Sequence, residues 1–223
     1  MKQLYGHKHF IRCLEVIEEP KSNTFLLVSG SEDETIRLWD LNSLECTKTF
    51  LAHAKGVLCL TYLPIQKLML SGGKDGRLKL WEILKGICIR NLIEDGPEIT
   101  CLCSMPNMEI FASGDSLSNV HFWRIDKLGN TKFISSCQTE QSKIFALGYA
   151  GDGKTFFSGG ADKKIKIWAI DELPLVKNVQ ILSGHEDTVS SIILFDKTMV
   201  SGSWDKKIRV WDLRPLLKVP SIP

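Results

Sequence analysis

The sequence predicts an all-β protein, a β-propeller of four-stranded antiparallel blades in which five repeats are visible. Three observations carry this prediction. A serine followed ten residues later by a tryptophan occurs five times, and these tryptophans are spaced 42, 42, 45 and 43 residues apart. The residues before each tryptophan alternate between polar and apolar, which is the period-two pattern of a strand. No stretch of ten or more residues shows helical periodicity. A β-repeat of about 43 residues is the length typical of one propeller blade.

Each repeat supplies the strands of one blade. Residues 35–39 and 164–168 show the alternating pattern, and residues 25–28 and 67–70 are apolar runs typical of buried central strands. A further strand lies upstream of each serine, at residues 11–14, 57–60, 99–102, 144–147 and 189–192. One propeller domain is predicted over residues 1–214, followed by a Pro-rich tail at 215–223. Its repeats cover approximately residues 6–51, 52–93, 94–136, 137–183 and 184–213.

Residues 2–5 precede the first repeat and have the spacing of an outer strand. Leu4 lies three residues before His7, as Phe50 lies three residues before His53. We therefore expect this N-terminal strand to complete the last blade, whose own chain offers no outer strand, and so to remove exposed sheet edges. An open arc, a ring completed by another chain and a piece of a longer propeller are the alternatives.

Composition and charge exclude several classes of function. The 223 residues are 43% hydrophobic and 24% charged, with a net charge of +2 and a pI near 8.1. A balance so close to neutral gives no support for a nucleic-acid partner. No apolar run approaches the roughly 20 residues that span a bilayer, and the first residues lack the apolar core of a signal peptide. These features predict an intracellular protein, cytoplasmic or nuclear, without a membrane partner.

The repeat explains the seven cysteines better than disulfides or a metal site do. No Cys-x-x-Cys pair occurs. One strand position is shared by three cysteines, an alanine and a serine, which indicates a slot for a small buried side chain: Cys13, Cys59, Cys101, Ala146 and Ser191. A reactive thiol at Cys103 or Cys137 is the alternative, and no metal or cofactor is predicted.

Short residue pairs open and close the repeats. The opening pairs are Gly6-His7, Ala52-His53 and Gly184-His185, and the closing pairs are Trp39-Asp40 and Trp211-Asp212. With these pairs, the sequence resembles the WD-repeat β-propeller family over about residues 3–214. Two repeats depart from the closing pair, because they end in Trp123-Arg124 and Trp168-Ala169.

The resemblance implies a buried hydrogen-bond network of four residues in a blade. Three repeats have the full set: His7, Ser29, Asp33 and Trp39; His53, Ser71, Asp75 and Trp81; and His185, Ser201, Asp205 and Trp211. Because a catalytic triad occurs once per domain and this set occurs three times, it predicts structure and not catalysis. The third repeat has Asp95 and the fourth has Glu140 in place of histidine, and Leu117 replaces the turn aspartate of the third. We expect these two blades to be less rigid if their networks are incomplete.

One apparent nucleotide motif is rejected. Residues 148–155 match the phosphate-loop pattern G-x-x-x-x-G-K-T, whose chemistry needs a helix N-terminus after the loop. Residues 156–160 instead predict a strand and a turn. The match therefore indicates a hairpin turn and not nucleotide binding.

Partner binding is predicted on one rim of the propeller. The resemblance implies docking at the turn before each blade's aspartate and at the start of the first aligned strand. The candidate residues are Trp204, Phe10, Arg12, Lys74, Glu32, Lys143 and Phe145. Trp204 is the one tryptophan outside the repeat pattern, so we expect it to be either an exposed hot spot or a residue packed against a neighbouring loop.

The predicted function is a non-catalytic scaffold or adaptor that binds other proteins through this rim, in a multiprotein complex. No cofactor and no small-molecule substrate are predicted. One alternative is an RNA-binding propeller of an RNP assembly that uses Lys74, Lys143 and Arg12. Another is a truncated part of a larger seven-bladed WD-repeat protein. An enzyme is not predicted, because no single-copy set of nucleophile, base and oxyanion donors occurs.

Overall fold

The structure is a computed structural model that describes residues 2–19, 24–172 and 175–214. These residues form nineteen strands in five antiparallel sheets, which confirms the all-β prediction. The one helical segment among them is a three-residue 3-10 turn, Pro106–Met108. The tail predicted at 215–223 lies outside the described residues.

Each sheet is one blade, and its strands follow one another in chain order from the centre outwards. Blade 1 contains β1 (Ile11–Glu19), β2 (Thr24–Ser31), β3 (Thr35–Asp40) and β4 (Cys46–Leu51). Blade 2 contains β5 (Val57–Leu63), β6 (Leu68–Gly73), β7 (Leu78–Glu82) and β8 (Ile87–Ile93). Blade 3 contains β9 (Ile99–Met105), β10 (Ile110–Asp115), β11 (Asn119–Ile125) and β12 (Thr131–Gln138).

The last two blades continue this order. Blade 4 contains β13 (Ile144–Tyr149), β14 (Thr155–Gly160), β15 (Ile165–Glu172) and β16 (Leu175–Leu182). Blade 5 contains β17 (Val189–Phe195), β18 (Thr198–Ser203) and β19 (Ile208–Asp212). The five sheets form the predicted five-bladed β-propeller. A strand, β14, follows the apparent phosphate-loop match, so the structure agrees with its rejection.

The hydrophobic core lies between successive blades. Each inner strand packs against the inner strand of the next blade, from β1 through β5, β9 and β13 to β17. Val57 of β5 is buried in one cluster with Val28 and Ile36 of blade 1. Ile144 of β13 is buried in the same way with Val120 of blade 3. Burial of apolar surface at about 25 cal/mol per Å² makes these contacts the main source of stability.

Each inner strand has a β-bulge at its second residue. In β1, Ile11 pairs with Ser31 and Cys13 pairs with Gly30, so Arg12 has no partner in the ladder. The same skip in the other four inner strands leaves these residues unpaired: Leu58, Thr100, Phe145 and Ser190. Because a bulge re-aims the side chain of its extra residue, one side chain in every blade is released from the sheet faces at the same end of the propeller.

The fifth sheet differs from the other four because it has three strands, and residues 2–10 lie in no strand. The pairing expected between residues 2–5 and blade 5 is therefore absent from the described residues. Gly6 and Leu4 instead lie beside Trp39 of blade 1. The bond of His7 to Ser29 does not prevent this pairing, because His53 and His185 make the same bond after outer strands that are paired. The physical reason is that blade 5 does not pack on blade 1, since Ile11 and Ile208 are both exposed.

Blades 1 and 5 each have an apolar end face that no other blade covers within the part of the chain that the structure describes. Ile11 of β1 is 52% exposed, whereas its equivalents in the other four blades are fully buried: Val57, Ile99, Ile144 and Val189. At the other end, Ile208 of β19 is 76% exposed, whereas its equivalents are buried: Ile36, Leu78, Val120 and Ile165. The two end faces are thus halves of the interface that joins every other pair of successive blades.

Candidate functional site at the propeller mouth

The three complete sets of histidine, serine, aspartate and tryptophan are hydrogen bonded within their blades. In blade 2, Nδ1 of His53 lies 2.9 Å from Oδ1 of Asp75, and Nε2 lies 2.7 Å from Oγ of Ser71. The indole N–H of Trp81 donates to the same Oγ at 2.8 Å. Blades 1 and 5 repeat these bonds at 2.7–2.8 Å among His7, Ser29, Asp33 and Trp39, and among His185, Ser201, Asp205 and Trp211.

The electrostatics of blade 2 fix the roles in this network. Burial lowers the pKa of His53, although the adjacent Asp75 carboxylate opposes this. Burial raises the pKa of Asp75, but the interaction with His53 and the hydrogen bonds from the backbone N–H groups of Arg77 and Ala54 outweigh it and hold that pKa below its ordinary value. A neutral imidazole donates from Nδ1 to the carboxylate and accepts the hydroxyl of Ser71 at Nε2. The serine is therefore occupied as donor and as acceptor, which suits a structural clamp.

Blade 4 has a complete network built from a different residue. Gln141 lies where the other blades have histidine, whereas the expected Glu140 is exposed. Gln141 accepts a hydrogen bond from the hydroxyl of Ser158 and donates from Nε2 to Oδ1 of Asp162 at 3.2 Å. The expectation of an incomplete network here is wrong, because an amide supplies both a donor and an acceptor.

Blade 3 replaces the turn aspartate from another position. Asp115 is fully buried and accepts the backbone N–H groups of Leu117 and Asn119 at 2.8 Å. His121 Nε2 lies 3.2 Å from the same carboxylate, whereas Asp95, which stands at the histidine position, is exposed. The tryptophan of this blade keeps its bond to serine, at a longer 3.4 Å between Trp123 Nε1 and Ser113 Oγ.

The cysteines at the shared strand position are held as buried thiols. Burial raises the pKa of Cys13 and of Cys101 to about 12. It also raises the pKa of Cys103 to about 12 and that of Cys137 to about 11. The thiolate is the reactive form of cysteine, so these environments disfavour the alternative of a reactive thiol at Cys103 or Cys137.

A cavity of about 530 Å³, which we call the mouth, lies at the end of the propeller where all five inner strands begin. It is lined by Arg12, Glu32, Leu58, Lys74, Glu98, Thr100, Lys143, Phe145, Ser190 and Trp204. Five of these are the bulged residues of the five inner strands. The repeated bulge therefore builds the mouth by turning one side chain per blade into it.

The structure brings six of the seven predicted rim residues together around the mouth: Trp204, Arg12, Lys74, Glu32, Lys143 and Phe145. Phe10 does not line it, because its exposed ring lies beside His9 and Arg12. Four lining residues were missed by the sequence reasoning: Leu58, Glu98, Thr100 and Ser190. Their positions within the repeat could have indicated them. Leu58, Thr100 and Ser190 share the strand position of Arg12, and Glu98 shares that of Lys143.

The charged residues of the mouth are partly paired with one another. Nε of Arg12 donates to Oε1 of Glu32 at 2.6 Å, and hydrogen bonds from Arg12 hold the pKa of Glu32 below its ordinary value. Lys143 Nζ lies 2.6 Å from Oε2 of Glu98 and links blade 4 to blade 3. Lys74 is exposed, and its side-chain ammonium group has no hydrogen bond or ion pair among the described residues, although its charge also lowers the pKa of Glu32.

An aromatic pair forms one side of the mouth. The rings of Phe145 and Trp204 have centroids 5.3 Å apart at an angle of 55°. The Lys143 ammonium lies 5.5 Å from the Phe145 ring centroid. Trp204 is 57% exposed, whereas the other five tryptophans are buried or half-buried. Trp204 thus packs against a neighbouring blade and still presents a large apolar surface, and its role as a hot spot stays a prediction.

The fold and the mouth define the class of protein as a β-propeller of repeated blades around a central opening. The sequence model of the family described as WD domain, G-beta repeat, matches residues 1–40, 44–82, 131–169 and 176–212. The chain belongs to the WD-repeat family. The matched segments leave out the repeat that ends at Trp123, which is the repeat that departs most from the four-residue network.

Several curated proteins are similar to parts of the chain. Coatomer subunit beta'-3 of Arabidopsis thaliana is 43% identical over 58 residues, which are 26% of this chain and 6% of that protein. WD repeat-containing protein 18 of Homo sapiens is 42% identical over 48 residues, 22% of this chain and 10% of that protein. Nuclear distribution protein PAC1 of Zygosaccharomyces rouxii is 31% identical over 65 residues, 27% and 15% of the two chains. The matched regions thus span a small part of these relatives.

Within residues 2–19, 24–172 and 175–214, no group of three or more His, Cys, Asp or Glu side chains could hold a metal ion. No helix in this part of the chain has the length and apolar character of a membrane span.

Proposed function

We propose that this protein is a non-catalytic scaffold or adaptor that binds other proteins at the mouth. The WD-repeat fold is generally a non-catalytic scaffold. The observation that carries the proposal is that the five bulged residues and the exposed Trp204 converge on one cavity. Exposed tryptophan and arginine side chains at the centre of a surface are typical hot spots of protein interfaces.

The name of one relative supports a role in a multiprotein complex. The coatomer protein is named as a subunit, and WD repeat-containing protein 18 is named for the same repeats. Each relative is similar to about a quarter of this chain. The proposal therefore takes from them a general type of role and no specific partner.

The test compares partners retained by three forms of the protein. A double variant, Trp204→Ala with Phe145→Ala, removes the aromatic side of the mouth. The control is Leu128→Ala, an exposed apolar residue in the β11–β12 turn, at the opposite end of the blades. Affinity capture from cells with quantitative mass spectrometry is expected to show partners lost only with the double variant. Identical partner sets for all three folded proteins would contradict binding at the mouth.

The uncovered end faces favour a second candidate, that these five blades are part of a larger propeller. Leu14, Val16, Phe195 and Val210 are exposed beside Ile11 and Ile208 at the two ends. Contiguous apolar patches of this kind mark interaction surfaces or aggregation liabilities. Further blades of the same repeat would bury both faces as the inner blades bury theirs.

Sedimentation of the isolated chain tests this candidate. We expect the 223-residue chain to self-associate, and a variant with Ile208→Lys and Val210→Lys to associate much less, because the charges block contact through the blade 5 face. The matched control is Leu51→Lys, an exposed residue at the outer edge of blade 1. If the unaltered chain is a stable, monodisperse monomer, the result would contradict the candidate that these five blades are part of a larger propeller.

A further inference from the structure

Among the described residues, one cation at the mouth has no carboxylate partner. Three cations and two carboxylates line the cavity, namely Arg12, Lys74, Lys143, Glu32 and Glu98. Arg12 and Lys143 are each within hydrogen-bonding distance of a carboxylate, whereas no such partner of Lys74 exists among the described residues. The cavity therefore offers one ammonium group to a bound anion and has a net charge of +1 from these five side chains.

The aromatic pair adds an apolar surface to the same cavity. Phe145 and Trp204 pack against each other from different blades, and Trp204 stays more than half exposed. Leu58 lines the cavity as well. An aromatic surface beside polar groups that fix orientation is the usual composition of a ligand cavity, and a volume of about 530 Å³ falls in the range of such cavities.

The same arrangement disfavours RNA as the occupant. Nucleic-acid binding depends on several cations that each neutralise a phosphate. Two of the three cations here are already neutralised by Glu32 and Glu98, and both carboxylates face the cavity, where they would repel a chain of phosphates. A single carboxylate on an otherwise uncharged segment fits one free ammonium and meets no such repulsion.

We propose that the mouth binds a protein segment in which one Asp or Glu side chain reaches Lys74 and one large apolar side chain packs on Phe145 and Trp204. This inference rests on the proposed function, because it names the chemistry of the partner at the same site. Lys74 provides selectivity for the acidic residue, and the aromatic pair provides most of the contact surface.

A peptide panel measures this pairing directly. The probes are end-blocked octapeptides of glycine and serine that carry a fluorescent label, one glutamate and one phenylalanine, with one to four residues between the two. Fluorescence anisotropy is expected to show binding for at least one spacing. Replacement of the glutamate by glutamine is expected to weaken binding about three- to fivefold, the size typical of an exposed charge pair.

Variants of the protein locate the effect. Lys74→Gln is expected to abolish the difference between the glutamate and glutamine peptides, whereas Trp204→Ala weakens both peptides alike. Lys127→Gln, an exposed lysine in the β11–β12 turn, is the matched control and leaves the difference intact. No binding at any spacing, or the same preference for glutamate in Lys74→Gln, would overturn the inference.

Two further probes test other anions. A peptide with a free C-terminal carboxylate and no glutamate, and a labelled oligouridylate, are expected to bind more weakly than the best glutamate peptide. Tighter binding of either would overturn the assignment to an acidic side chain. The proposed function is tested separately from this inference. If partners captured from cells depend on Trp204 but not on Lys74, the proposed scaffold function stands and only the requirement for an acidic residue is contradicted.

Discussion

The ring of Phe145 lies 5.3 Å from the ring of Trp204, although the two residues belong to different blades. Phe145 is the bulged residue of β13, and Trp204 lies in the turn between β18 and β19. The contact thus joins blades 4 and 5 at the mouth, and Trp204 is its exposed member.

The first prediction uses the fluorescence of Trp204. Phe145→Ala removes one side of the packing around this indole, so we expect its emission to shift to the red and its quenching by acrylamide to increase. The free energy of unfolding should fall by less than about 1.5 kcal/mol, because the pair is partly exposed. Phe10→Ala is the control, since Phe10 does not line the mouth. Unchanged quenching in Phe145→Ala would show that the ring contact does not shield Trp204.

The second prediction concerns the close approach of successive blades. A Cβ at Gly72 would lie 2.5 Å from Cγ2 of Ile99 in blade 3 and 2.6 Å from Sγ of Cys59. Because Ile99 is fully buried and β-branched, it cannot move aside without displacing its blade. We expect Gly72→Ala to lower the free energy of unfolding by about 2 kcal/mol or more in urea titrations.

Gly202 provides the matched control for this substitution. It occupies the same repeat position in blade 5, where a Cβ would meet only Ser191 of its own blade. Gly202→Ala should therefore lower the free energy of unfolding clearly less than Gly72→Ala does. If both substitutions lower the free energy of unfolding equally, either another molecule packs on blade 5 in solution or the clash with Ile99 is relieved.

The third prediction concerns the buried imidazole of blade 2. His53→Ala leaves Ser71 and Asp75 without their shared partner, so we expect the free energy of unfolding to fall by about 2–4 kcal/mol. His9→Ala is the comparison, because His9 is exposed and its contact with Glu32 lies on the surface. That variant should change stability by less than about 1 kcal/mol.

The same histidine predicts a dependence on pH. Its folded-state pKa lies below the unfolded value of 6.5, so below that pH the unfolded chain binds a proton that the folded protein excludes. This contribution to stability is present above pH 6.5 and is lost as the pH falls towards the folded-state pKa. Urea titrations at several values between about pH 7.5 and pH 5.5 should show a steeper loss for the unaltered protein than for His53→Ala. Parallel pH profiles would exclude His53 as the source.

The fourth prediction concerns a carboxylate at the interface between blades 1 and 2. Oε1 of Glu15 accepts the backbone N–H of Tyr62 at 3.0 Å, and burial raises the pKa of Glu15 despite this bond. The folded protein therefore disfavours the charged carboxylate of Glu15. Stability improves as the pH falls through the folded-state pKa of Glu15, because the carboxylate then becomes protonated. Glu15→Gln keeps the acceptor and removes the charge, so we expect it to stabilise the protein by up to about 1 kcal/mol at pH 7.

The benefit of Glu15→Gln should disappear at about pH 4, where the carboxyl group of the unaltered protein is itself protonated. Thermal unfolding at both pH values measures this difference. Glu18→Gln is a nearby control on the same strand, because Glu18 is exposed. A loss of stability in Glu15→Gln at pH 7 would show that the carboxylate charge is favourable at this interface.

The repeat made the architecture predictable and left particular residues undecided. The positions of Ser71 and Trp81, and of their equivalents, follow from the spacing because the same blade is built five times. Gln141 and Asp115 were not predicted, since they complete their networks from positions one and two residues away from the aligned ones. Which residues line the mouth could be predicted only in part, because a bulge breaks the alternation on which strand patterns rest. The end faces could not be predicted, because exposure of Ile208 depends on the absence of a neighbour and not on its own sequence.

The bulge at the second residue of each inner strand also bears on how such a protein acquires new partners. Four kinds of side chain occupy this position, although the residues on either side of it are small or apolar in every blade: a cation at Arg12, an aliphatic group at Leu58, an aromatic ring at Phe145, and hydroxyl groups at Thr100 and Ser190. Since the bulged residue takes no part in the ladder, a codon change there alters the surface offered to a ligand while the register of the strands is preserved. At the proposed binding site, natural selection can therefore vary these five positions one at a time, without the loss of folding that a change in a shared core position would bring.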